Sequence, residues 1–166
     1  MAYPDIKIVP APSDKIVEIL SATILISFWI FLLYIYSGMP DMVPIHLDGY
    51  GKADGFANKT SLFIGPAIST VIYCGLSYLN KFPHIYNYPA EINEKNALRY
   101  YTNGARMIRY LKLSIIIVFM IVETEIVLIA KNINLGLGIW TLIIPMAIIF
   151  IPIIYFIIKF SFPKKS

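Results

Sequence analysis

The sequence predicts an all-α integral membrane protein: four transmembrane helices, an ordered outer loop and a cytoplasmic amphipathic helix. Three observations predict it. Hydrophobic residues make up 58% of the chain and the mean hydropathy is +0.70, above the roughly 45–50% apolar content of a soluble domain. The excess is gathered into four blocks long enough to cross a bilayer. Lys and Arg concentrate in alternate loops, as membrane topology requires. Residues 1–166 are read as a single membrane domain.

The first block, residues 19–37, carries no charge. At ~1.5 Å per residue its length is close to the ~30 Å hydrocarbon core. It is longer than the ~7–15-residue apolar core of a signal peptide and no A-x-A-like site follows, so it is read as a retained helix. The second block, 62–79, is also uncharged but is interrupted by Gly65, Pro66 and Gly75. The third, 113–130, contains Glu123 and Glu125. The fourth, 139–158, contains Pro145 and Pro152, which membrane helices tolerate because neighbouring groups satisfy the freed carbonyls. The single cysteine, Cys74, lies inside the second block. It excludes an intramolecular disulfide and a cysteine-based metal site.

Four spans place the N-terminus, the second loop and the C-terminus on one side, with eleven Lys and Arg, and the other two loops opposite, with three. That bias sets both termini in the cytoplasm of a multi-pass cell-membrane protein, with loop 38–60 facing outward. It also accounts for the pI of about 9.1 without a nucleic-acid partner; membrane lipids are the expected partners.

The second loop has a pattern of its own. Leu98, Tyr101, Ala105 and Ile108 recur at helical spacing, and Lys95, Arg99, Arg106 and Arg109 form a second stripe displaced around the axis. Asn93 is the expected N-cap, with Glu94 in the first turn. Such a helix rests in the headgroup region as a topology anchor feeding into the third span, or offers its stripe to lipid or a cytoplasmic partner. Gly104 weakens it by ~1 kcal/mol relative to Ala.

The stretch "PDMVPIHLDGYGKADGFANK", 40–59, interrupts the apolar pattern. Pro40 and Pro44 stop the preceding helix. Asp48-Gly49 and Asp54-Gly55 are turn dipeptides, and "MVPIHL" suits a short extended piece, so an ordered loop or small hairpin is expected. His46, Asp48, Asp54 and Lys59 are its candidate ligand-binding groups. His46, Asp48 and Asp54 are also candidate metal ligands, although their spacing matches no metal motif, so no metal is assigned and no cofactor is named. His46 with an orienting Asp equally suits general acid–base chemistry. A plainer reading has Asp48 and Asp54 capping turns, Lys59 snorkelling and His46 satisfied at the interface. Glu123 and Glu125 lie on the outward half of the third span, where an ionisable group is a functional candidate. Two residues apart, they point to nearly opposite sides, so at most one is expected to face the bundle interior. The sharper expectation is an outward polar cluster of His46, Asp54, Lys59 and one Glu, with Glu123 the candidate ligand-binding member.

These residues resemble the signature of an uncharacterised bacterial membrane domain that forms the N-terminal part of SdpI-type immunity proteins and occurs in short stand-alone proteins. Its pattern is approximately P-D-x-[IV]-P-x-H-[FW]-N-x-x-G-x-x-D-G-[WF]-x-x-K. Pro40, Asp41, Val43, Pro44, His46, Gly51, Asp54, Gly55, Phe56 and Lys59 match it. Asp48 stands where Asn is usual, and Leu47 where an aromatic is usual. "YNYPAEINEKNALRYYTNGARMIRYLK", 86–112, is similar to the segment after the family's second span. The resemblance covers about residues 16–112. It implies protection against a secreted peptide toxin, or sensing by drawing a repressor to the membrane. It brings no catalytic residues, and this chain is expected to lack the further C-terminal membrane domain of full SdpI-type proteins.

Three functions are therefore expected to compete. One is a non-enzymatic protein binding a ligand or peptide through loop 38–60. Another is an outward-facing metal-assisted enzyme using His46, Asp48, Asp54 and Glu123. The third is a subunit of a membrane complex, packed through the small residues Gly65, Ala67, Ser69, Gly75 and Ser77.

Overall fold

The computed structural model of the chain describes Pro4, residues 6–133 and residues 135–161. Lys164 and Lys165, counted above among the cytoplasmic cations, lie outside the described residues, as do Tyr3, Asp5 and Asn134. Four helices carry the architecture: α1 (Pro12–Ile35), α2 (Ile64–Leu79), α3 (Ala97–Ala130) and α4 (Trp140–Ser161). Each is long and apolar enough to cross a membrane, α1 and α2 together with the short 3-10 turns that adjoin them. The protein is a multi-pass membrane protein.

The fold is mostly, not wholly, helical. Between α1 and α2 the chain forms an antiparallel hairpin of β1 (Met42–Leu47) and β2 (Ala53–Asn58). This corrects the all-α expectation. The reason is local: Pro40 and Pro44 exclude helix, and "MVPIHL" pairs with a strand that starts after a Gly-containing turn. Val43 faces Ala57 and Pro44 faces Phe56. A bulge at Ile45 shifts the register so that His46 faces Gly55. Pro44, which cannot donate to a ladder, is tolerated beside that bulge.

Helix α1 begins seven residues before the apolar block. Pro12 occupies its first turn, and the Asp14 carboxylate accepts the Ala11 backbone N–H at 2.8 Å, offsetting an orphan helix donor. Asp14, Val17, Ser21, Leu25, Phe28 and Leu32 are buried along one seam, while Ile16, Ile19, Ile26, Ile30 and Leu33 are exposed. The exposed face is the apolar one, as expected where lipid is the solvent. Helix association then depends on packing and interhelical polar contacts rather than on apolar burial from water. Trp29 Nε1 donates to Thr70 Oγ1 at 3.0 Å and ties α1 to α2.

Helix α3 is the central element and packs against α1, α2 and α4. Its 34 residues reach about 51 Å, well beyond the ~30 Å hydrocarbon core. The amphipathic segment and the third span are therefore one continuous helix. Asn93 does not cap it: the Asn93 carboxamide accepts the N–H of Lys95 and Asn96 in a turn that precedes the helix. Leu98, expected on the apolar face, is exposed, whereas Tyr101, Ala105 and Ile108 are buried. At the hairpin end, Phe28, Leu32, Val43, Leu62 and Val127 form one core. At the opposite end, Ile92, Ala97, Tyr100, Tyr101, Phe156 and Phe160 form another. Phe156 and Phe160 are the only buried side chains described in α4.

Candidate functional site

The hairpin brings His46 and Asp54 together. Their Nδ1 and Oδ1 are 2.5 Å apart on the exposed face of the sheet. Gly55 allows the approach, because a Cβ there would lie 3.3 Å from the His46 Cβ. Asp48 takes no part in this pair. One of its oxygens accepts the N–H groups of Tyr50 and Lys52, both at 2.9 Å, and its carbonyl accepts the Gly51 N–H. Those two donors, the Lys52 amide first, hold its carboxyl below the usual aspartate value. Lys59 turns away as well. Its Nζ lies 3.1 Å from Asp41 and 5.5 Å from the centroid of Tyr36.

The expected cluster of His46, Asp54, Lys59 and one Glu is thus divided. Among the described residues neither His46 nor Lys59 pairs with Glu123, and no three His, Cys, Asp or Glu side chains converge as a metal site. Of the candidates His46, Asp48 and Asp54, the two that meet are His46 and Asp54, while Asp48 is held by the amides of its own turn.

Both glutamates of α3 are buried, which corrects the expectation that at most one faces inward. They do point to different sides of the helix, but each side is covered. Glu123 lies against the first turn of α2, where a Cβ on Gly65 would fall 2.6 Å from its Oε2. It lines a cavity of about 330 Å³ under the sheet with Pro44, Ala57 and Ser61, and the buried Ser61 hydroxyl there has no partner among the described residues. Glu125 accepts a hydrogen bond from Thr141 Oγ1 at 2.7 Å. It lies at a second hollow of about 670 Å³, shared with Tyr50, Lys52, Ile129 and Asn132. Gly51 closes this contact: its φ is +76° and a Cβ would meet Thr141 Oγ1 at 2.9 Å. The hairpin turn is therefore seated on α3 and α4 at a residue where any side chain would be strained.

The basic stripe separates in the same way. Lys95 is exposed and Arg99 half-buried. Arg106 Nε pairs with Asp14 at 2.8 Å and Arg109 Nε with Glu18 at 3.2 Å. Lys112, wholly buried, pairs with Glu18, donates to Ser77 Oγ at 2.8 Å and stands over the Tyr73 ring. Sequence reasoning missed the partners Asp14, Glu18, Asp41 and Thr141. A signal for two of them was present. Asp14 and Glu18 share one face of α1 at i, i+4 spacing, opposite in sign to Arg106, Arg109 and Lys112 at i, i+3, i+6 on α3. Of the small residues in α2, Gly65 and Ser69 are buried within the chain, and Ala67 and Gly75 remain exposed.

A family described as a domain of unknown function, DUF1648, matches residues 22–70, from α1 through the hairpin into α2. An uncharacterized protein of Archaeoglobus fulgidus is 31% identical over 70 residues, 37% of this chain and 38% of that protein. The chain thus spans well under half the length of that relative in the region of similarity. No solved structure matches.

Proposed function

We propose that the protein is a non-enzymatic membrane receptor surface for an amphipathic peptide, bound at the hairpin, with peptide immunity or sensing as the outcome. The observation that carries this reading is the surface of the hairpin end. Tyr50, Phe56, Met42 and Ile45 are exposed beside the His46–Asp54 pair, on a sheet anchored in the core by the fully buried Val43. The carboxylates at this surface, Asp41, Asp48 and Asp54, are matched in number by Lys52, Lys59 and Lys131, since Glu123 and Glu125 are buried, so apolar contact rather than net charge distinguishes the surface. Exposed aromatic and aliphatic side chains suit the apolar face of an amphipathic peptide. The Lys and Arg bias directs this end outward, where a secreted peptide would meet it. The resemblance to SdpI-type immunity proteins supports the same outcome. The metal-assisted alternative is less supported, because Asp48 is used by the turn and Glu123 lies beneath the sheet from His46.

The test is survival of cells challenged with a panel of membrane-active peptides, cationic and neutral. Wild-type protein is expected to protect against at least one. Asp54→Ala and Tyr50→Ala should lose that protection while membrane levels and detergent unfolding midpoints stay unchanged. Equal survival of cells with the wild-type protein and with an empty vector across the panel overturns the reading.

A further inference from the structure

At the opposite end, α3 and α4 run antiparallel with a groove between them. Two adjoining hollows, of about 590 and 460 Å³, share Arg106, Tyr155 and Lys159. Arg99 lies at the mouth, and Tyr110 and Ile151 line the deeper part. From Lys159 to Ile151 the helix rises about 12 Å, so the groove passes from cations to an apolar floor along the membrane normal.

The charge at the mouth is not neutralised. Arg106 is paired with Asp14. Arg99 and Lys159, in contrast, have no carboxylate partner among the described residues. The Arg99 guanidinium donates to the Lys159 carbonyl at 3.5 Å and stacks over Tyr100. The Lys159 ammonium stands over Tyr155 and Phe156, 5.5 and 5.7 Å from their centroids. Two cations are thus held side by side by rings and a backbone carbonyl, leaving donors for an anion. Ile151 and Tyr155 are exposed to whatever occupies the bilayer beside them.

We propose that this groove binds one anionic phospholipid, its phosphate between Arg99 and Lys159 and an acyl chain descending past Tyr155, Tyr110 and Ile151. The occupant follows from charge complementarity at the mouth and an apolar floor directly below it. A soluble phosphate satisfies only the first, and a neutral lipid only the second. The basic end is also the one that the positive-inside rule sets against the anionic leaflet.

The experiment is native mass spectrometry of the full chain released from phosphatidylcholine bilayers with and without phosphatidylglycerol. Wild-type protein should retain one phosphatidylglycerol in preference to phosphatidylcholine. Removing each cation should weaken retention about fivefold, so Arg99→Gln with Lys159→Gln should nearly abolish it, whereas Lys131→Gln at the far end should not. Ile151→Trp, which fills the floor and keeps both cations, should also expel the lipid and remains informative if the double variant fails to fold. Equal retention of the two lipids, or equal retention by wild type and either groove variant, overturns the proposal. So does displacement of the lipid by water-soluble glycerol phosphate, which would assign the site to a free phosphate. A role limited to capping α4 predicts a stability loss that is the same in both bilayers.

Discussion

Two backbone N–H groups, those of Tyr50 and Lys52, converge on one carboxylate oxygen of Asp48. Hydrogen bonds to the charged form favour it, so the folded carboxyl titrates below its ordinary value of 3.8. For a depressed acid the sign is fixed: the turn has its full support above the unfolded value and loses it as pH falls through the folded one. Protection factors of the Tyr50 and Lys52 amides should therefore be constant near neutrality and fall in acid. Asp48→Asn keeps an acceptor and should remove the dependence; an acid-insensitive wild type would count against this assignment. Gly104 offers a test in which two effects oppose. Ala would gain ~1 kcal/mol of helix propensity, but its Cβ would fall 2.7 Å from the Tyr88 hydroxyl and 3.0 Å from the Tyr86 ring. The Tyr88 hydroxyl is held by the Pro83 carbonyl at 2.8 Å, and burial pushes both phenols up, Tyr86 to about 12. Overpacking costs ~1–3 kcal/mol, so Gly104→Ala should be destabilising by about 1 kcal/mol. An increase in the unfolding midpoint would show that the tyrosines yield.

The α1–α3 pair is joined by ions as much as by packing. Lys112 is fully buried and has Glu18 as its counter-charge. Removing one partner of a buried pair costs ~3–5 kcal/mol, because the remaining charge is left uncompensated. Glu18→Leu should therefore be severe, and Glu18→Leu combined with Lys112→Met should recover only part of the loss, because Arg109 also loses its Glu18 contact. Unfolding titrations in detergent of both variants decide it; additive losses would mean that the two charges are not coupled. This cluster also explains where the sequence was legible. Long apolar runs, three of them free of charge, revealed four spans, and each run overlaps one helix. The same criterion excluded Asp14 and Glu18 from α1, because charged residues do not read as membrane helix when their partners lie some ninety residues away. The hairpin strand at 42–47 was readable from its prolines and β-branched residues. The burial of both Glu123 and Glu125 was not, since it requires knowing that α2 covers one side of α3 and the hairpin turn and α4 another.

At the scale of the molecule, the two ends differ in kind. One carries an exposed hairpin with aromatic and aliphatic side chains at its surface, the other a cation-lined groove and a buried ion cluster. Four crossings would return the chain to the side on which it starts and set the hairpin and the start of α3 on opposite faces of the bilayer. The Lys and Arg distribution then predicts which face is which: transfer of the basic end across the membrane is disfavoured. Single reporter cysteines test this after Cys74→Ser removes the native thiol. Tyr50→Cys sits on the exposed turn and Lys95→Cys on the exposed segment before α3. In intact cells a membrane-impermeant maleimide should label the first and not the second, and permeabilisation should make the second reactive. The reverse pattern would put the hairpin in the cytoplasm, beyond reach of a secreted peptide, and would remove the basis of the proposed recognition while leaving the lipid groove, set by local charge, to be assigned to the other leaflet.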